Sequence, residues 1–104
     1  MIRLDQRLRC AFHMLRGADT VADIGCDHGK LTAALLLEGG CRRVIAGDVS
    51  PDCLNKAAGI IQRYGLQGKA QVRLGSGFTI LSPGECDAAA VLGMGGELMM
   101  ELME

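Results

Sequence analysis

This sequence predicts an α/β fold with a parallel sheet, and three observations carry that reading. Short apolar runs alternate with stretches whose apolar residues recur at helical spacing. Glycine-rich breaks fall directly after the apolar runs, at Gly25 to Gly29, at Gly75-Ser76-Gly77 and at Gly93-Met94-Gly95-Gly96. The chain has 104 residues, 49% of them apolar, which is enough for one domain with one modest core.

The elements follow in order. Leu4, Leu8, Ala11, Phe12 and Leu15 form one stripe, so a helix is expected from about Leu4 to Leu15, ended by Gly17. Thr20 to Ile24 reads as the first strand. A second helix spans about Lys30 to Glu38 and stops at Gly39-Gly40. Arg43 to Asp48 is the second strand. Ser50 and Pro51 fit the cap and first position of a third helix, which runs to about Tyr64. Ala70 to Leu74 is the third strand, and Asp87 to Leu92 the fourth, placed as a strand by the three β-α units before it. From about Glu97 a last helix is expected. Leu98, Met99, Met100, Leu102 and Met103 give it an apolar arc too broad for a surface helix. The expected sheet has about four parallel strands in order 3-2-1-4, with flanking helices.

The loop after the first strand reads Asp23-x-Gly25-x-Asp27-x-Gly29. Strand, tight glycine loop and helix together present a nucleotide-like ligand at the carboxyl edge of a sheet. The two carboxylates would repel a pyrophosphate. S-adenosylmethionine, with a sulfonium, an α-ammonium and no phosphate, suits them better. The plainer alternative is a glycine turn with the aspartates as caps. Asp48 closes the second strand about 20 residues further on, where such sites place the carboxylate that accepts both ribose hydroxyls. With Ser50 as the cap, Asp48 is left free for that role. Gly75-Ser76-Gly77 either lies flat against an adenine ring or is an ordinary turn.

The formal net charge is −1, which promises no nucleic-acid partner by itself. Its distribution is uneven. Arg3, Arg7, Arg9 and Arg16 crowd the start, and the tail from Glu85 is acidic. The basic start reads as a phosphate contact or as a solvated helix face. Only Phe12, Tyr64 and Phe78 are aromatic, so base stacking has little support. The five cysteines lack C-x-x-C spacing and no secretory leader shows, which points to free thiols in the cytoplasm. No metal-ligand spacing appears, and no apolar run is long enough to cross a membrane.

Ala22-Asp23-Ile24-Gly25-Cys26-Asp27-His28 resembles the "ADIGsDH" signature of bacterial tRNA adenine-N1 methyltransferases of the TrmK type. Ile45-Ala46-Gly47-Asp48-Val49 resembles their "IAGEV", and Val72 to Phe78 their "VRLGNGL". Gly93-Met94-Gly95-Gly96 is similar to "GMGG", and Leu4 to Leu8 to "LskRL". Asp48 stands where Glu is usual, and Ser76 where Asn is usual.

The resemblance implies a Rossmann-like class I methyltransferase that moves a methyl group from S-adenosylmethionine to N1 of adenine 22 of tRNA. It implies that residues 1–104 are the N-terminal part of the cofactor-binding domain, without the later strands and the C-terminal helical domain. Asp23, Gly25, Cys26, Asp27, His28 and Gly29 then line the methionine end of the cofactor. Asp48 and Val49 meet the ribose side, and Gly75, Ser76 and Gly77 the adenine. Gly93, Met94 and Gly95 border the site where the target base enters. Arg7 and His28 are candidate substrate contacts. For His28 a satisfied loop histidine is the alternative. No catalytic acid or base is assigned, because a neutral adenine N1 attacks with its own lone pair. Two competing readings are an inactive fragment that binds S-adenosylmethionine but not tRNA, and half of a nicotinamide oxidoreductase. A truncated chain is expected to self-associate through a bare fourth-strand edge and its methionine-rich helix.

Overall fold

The structure is a computed structural model and describes residues 2–92 and 98–102. Its centre is a five-stranded sheet in order β3-β2-β1-β4-β5. The strands are β1 (Thr20–Ile24), β2 (Arg43–Asp48), β3 (Ala70–Leu74), β4 (Ala88–Leu92) and β5 (Leu98–Leu102). The first four are parallel in the expected order 3-2-1-4. Three helices accompany them: α1 (Gln6–Leu15), α2 (Lys30–Leu37) and α3 (Pro51–Arg63).

The helices start where side chains cap them. Asp5 accepts the N–H of Leu8 at 2.8 Å and opens α1 two residues later than the apolar stripe alone predicts. Ser50 accepts the N–H of Cys53 at 3.3 Å, and Pro51 takes the first position of α3.

Because side chains alternate across a strand, the sheet has two different faces. On one, Val21, Val44, Ala70, Ala88 and Ala90 pack with Ala11 and Leu15 of α1, Leu31 and Leu35 of α2 and Ile61 of α3. On the other, Ala22, Ile24 and Ala89 pack with Ile80, Leu81 and Cys86. The alanines of β4, weak strand formers, are admitted because small side chains let helix and sheet approach closely.

The expected last helix is a correction. Leu98–Leu102 is a strand, paired antiparallel to β4 from Ala88↔Leu102 to Leu92↔Leu98. A short apolar run does not distinguish helix from strand by periodicity. What decides is the neighbour: β4 carries unpaired N–H and C=O groups on its outer side, and a strand satisfies them. The fourth strand is therefore not a bare edge. The self-association expected through that edge and a methionine-rich helix loses both of its elements. No helix among the described residues is long and apolar enough to cross a membrane.

Candidate functional site

The carboxyl ends of β1, β2 and β3 meet at one edge of the sheet, and the loop after β1 is built over the end of β2. The N–H groups of Gly25 and Cys26 both donate to the carbonyl of Gly47, at 2.7 and 2.9 Å. Gly25 and Gly29 have φ of +76° and +80°, and Asp27 is the only non-glycine residue with positive φ among those described, at +53°. Asp and Asn tolerate that region better than most residues. At Gly29 a side chain is also excluded by space, since a Cβ there would lie 2.9 Å from Cα of Ala57 in α3. The loop thus rests on α3 backbone to backbone.

Asp48 ties the two strand ends together. Its Oδ2 accepts the N–H of Asp27 at 3.1 Å, and its Oδ1 accepts the N–H of Ser50 at 3.0 Å. The carboxylate is therefore not free, contrary to the expectation from Ser50 as the cap: both of its oxygens already accept a backbone N–H. Each oxygen keeps a further lone pair for an outside donor. The carbonyl of Asp48 also accepts the N–H of Gly75, at 3.0 Å, which draws the loop after β3 to the same edge.

Asp23 differs from Asp27 and Asp48. It is only 4% exposed and points to the helix side of the sheet, where Thr32 Oγ1 donates to its Oδ2 at 2.7 Å. Burial pushes its pKa up from 3.8 to about 6, the charges of Asp48 and Asp27 push the same way, and the Thr32 hydrogen bond holds it back. Cys26, buried beside it, has its thiol pushed well above the ordinary range by burial, with Asp23 and Asp48 adding to the effect.

A recess of about 110 Å³ opens above these groups, and Asp23, Gly25, Cys26, Asp27 and His28 line it. Asp5, Arg7 and Lys30 line it too, from the starts of α1 and α2. His28 Nε2 lies 3.5 Å from Asp27 Oδ1, and Cys53 Sγ lies 3.6 Å from the same oxygen. Val49, next to Asp48, is 66% exposed. Ser76 and Gly77 open a 3₁₀ turn (Gly77–Ile80) beyond β3. Gly93, Met94 and Gly95 lie outside the described residues.

Several contributors escape sequence reasoning. Thr32 is one, although a threonine inside an otherwise apolar helix face is a signal. Another is the clip below the loop after β3. Arg73 donates from both terminal guanidinium nitrogens to Glu85, and one of them also reaches the carbonyl of Ile80 at 2.7 Å. Ile80 in turn packs against Gly47 and Gly75, where a Cβ would meet its side chain at 2.1 and 2.5 Å. Arg73 holds the Glu85 carboxyl down at about 2. Among the described residues no group of His, Cys, Asp and Glu is arranged to hold a metal ion.

A family model described as a methyltransferase domain matches residues 4–104. The chain belongs to that family. This methyltransferase domain is 30% identical over 103 residues to the tRNA (adenine(22)-N(1))-methyltransferase of Bacillus subtilis, covering 99% of the chain and 43% of that relative. The crystal structure of the B. subtilis m1A22 tRNA methyltransferase TrmK superposes with a TM-score of 0.83 at 30% identity, over 90% of this chain and 40% of that one. The structure of M. capricolum TrmK in complex with the cofactor product S-adenosyl-homocysteine gives a TM-score of 0.70 at 28% identity, over 73% and 34% of the two chains. The methyltransferase domain here spans less than half the length of these relatives.

Proposed function

We propose that this chain is the donor-binding part of an S-adenosylmethionine-dependent methyltransferase that acts on N1 of adenine in tRNA, at position 22 by likeness to the B. subtilis relative. The observation that carries the reading is the bridge from Asp48 to the loop of β1. It sets the Asp48 carboxylate against a loop whose own acid, Asp27, lines the recess. Vicinal ribose hydroxyls match two carboxylate oxygens, and a cationic methionine end matches the acidic recess. A pyrophosphate at the same place would meet both charges, which disfavours a nicotinamide cofactor.

The residues fit the donor in order along the edge. Asp27, His28 and the backbone of Gly25 and Gly29 flank the amino-acid end, with Asp23 and Cys26 as the floor. Asp48 takes the ribose. Val49 offers an exposed apolar surface to the adenine, and Gly75, Ser76 and Gly77 border its edge. The donor supplies a methyl group on a sulfonium, activated for attack by a lone pair. This chain's own work is to hold that methyl in line and to exclude water. Arg7 and His28, on the rim of the recess, face the side from which an unstacked base would come. We place the protein in the cytoplasm, a reading supported by its five cysteines, none of which is joined in a disulfide.

The test is calorimetry followed by methyl transfer. S-adenosylhomocysteine should release heat on binding and NAD should not, and radiolabelled methyl should enter a tRNA transcript carrying A22 but not one carrying G22. Binding of NAD in preference to S-adenosylhomocysteine would refute the assignment. A second reading is that the chain holds the donor without methylating tRNA. Heat with the donor product and no transfer would select it.

A further inference from the structure

Beside the donor recess lies a second pocket, of about 350 Å³, lined by Ile2, Arg3, Lys30, Ile60, Arg63 and Tyr64. Three of its six lining residues are cations and none is an acid. Among the described residues Arg3, Lys30 and Arg63 make no ion pair and no side-chain hydrogen bond, so their charge is uncompensated. All three are exposed. They come from three separate places in the sequence: the segment before α1, the first residue of α2 and the last residue of α3. Like charges gathered from distant positions repel one another, and nothing in the packing of the core requires it. Lys30 lines both this pocket and the recess that holds Asp27 and His28. The pocket therefore opens directly beside the proposed donor site.

We infer that this pocket docks the phosphate backbone of the RNA substrate, seating nucleotides that flank the one presented to the recess. The inference rests on the reading of the chain as a tRNA methyltransferase and adds where the substrate is gripped. Arg3 and Arg63 present planar forks suited to phosphate oxygens, and Lys30 adds a point charge between them and the recess. Tyr64, 41% exposed at the rim, offers a ring face to a ribose or an unstacked base. The acidic donor recess and the cationic pocket divide the work: one takes a cation, the other a polyanion.

The test uses the whole chain with labelled tRNA, by fluorescence anisotropy across a salt series. The triple variant Arg3→Gln, Lys30→Gln, Arg63→Gln should bind tRNA at least tenfold more weakly. Its slope of log affinity against log salt should shrink by about two, from three lost contacts at about 0.7 each. The double variant Arg3→Gln, Arg63→Gln, which leaves the recess residue Lys30 in place, should lose part of the same tRNA affinity and keep its affinity for S-adenosylhomocysteine. A control with the same change of net charge, Arg16→Gln, Arg42→Gln, Lys69→Gln, alters exposed cations outside the pocket and should keep most of the affinity. Equal weakening by both triples would overturn the inference, because general charge would then explain it. So would an unchanged slope in the first triple, or no tRNA binding by the unaltered chain. In either case continued binding of S-adenosylhomocysteine would leave the donor reading standing, whereas its loss in the unaltered chain would fell that reading instead.

Discussion

Thr32 Oγ1 donates to Asp23 Oδ2 at 2.7 Å, and that hydroxyl is the one side-chain donor given to a carboxyl buried among two other acids. The pair sits under the loop after β1, with the Asp23 carboxyl raised to about 6.

Stability should therefore fall as pH rises from about 3.8 to about 6. In that window the unfolded chain releases the Asp23 proton and the folded chain keeps it, so ionisation favours unfolding. The full effect corresponds to about 3 kcal/mol at most. Urea midpoints measured across this range should show the decline, and Asp23→Asn should flatten it. Thr32→Val removes the donor and should cost about 1–3 kcal/mol. A cationic ligand above Asp23 favours the ionised form, so donor affinity in calorimetry should rise with pH through about 6 and lose that rise in Asp23→Asn.

Asp48→Ala removes both the proposed ribose acceptor and the acceptor of the Asp27 N–H. Hydrogen bonds to charged groups contribute about 1.5–3 kcal/mol each. Affinity for S-adenosylhomocysteine should drop at least tenfold for Asp48→Asn, which retains one acceptor oxygen, and further for Asp48→Ala. Asp48→Glu should retain most of the binding. Titration calorimetry of the three variants gives the ranking.

Gly29→Ala meets two obstacles at once, a φ of +80° and a Cα of Ala57 at 2.9 Å. Strain and overpacking of this kind cost about 1–3 kcal/mol each. The melting temperature should fall by roughly 10 °C or more. Gly17→Ala makes the comparison, since Gly17 has a φ of +86° and open space around it. The excess loss at position 29 isolates the contact with Ala57.

The clip between Arg73 and Glu85 should fail in acid. Arg73 holds the Glu85 carboxyl at about 2 against an ordinary 4.5. Its contribution is present above about 4.5 and disappears as pH falls toward about 2. Amide hydrogen exchange in the segment from Gly75 to Ser82 should quicken in that window, relative to the strands. Glu85→Gln should show the faster exchange already at neutral pH.

Much of this arrangement is legible in the residues themselves. The bounds of β1, β2 and β3 match the apolar runs because each run ends at a glycine or a carboxylate that cannot continue it. The start of α3 is announced by Ser50-Pro51. The loop after β1 is legible because its glycines sit where positive φ is required. What is not legible depends on partners distant in sequence. Asp48 looks free beside Ser50, yet its second oxygen is taken by an N–H 21 residues earlier. Glu85 looks like part of an acidic tail, yet its partner is Arg73 on the far face of β3. Leu98–Leu102 looks helical in composition, and only the open side of β4 makes it a strand.

The close approach of Gly29 to Ala57 leaves no slack between the first loop and α3. Because α3 also begins directly behind Asp48, the two halves of the proposed donor site share a single mechanical reference. A tilt of α3 would carry both together, and no loop rearrangement would be needed to keep them aligned.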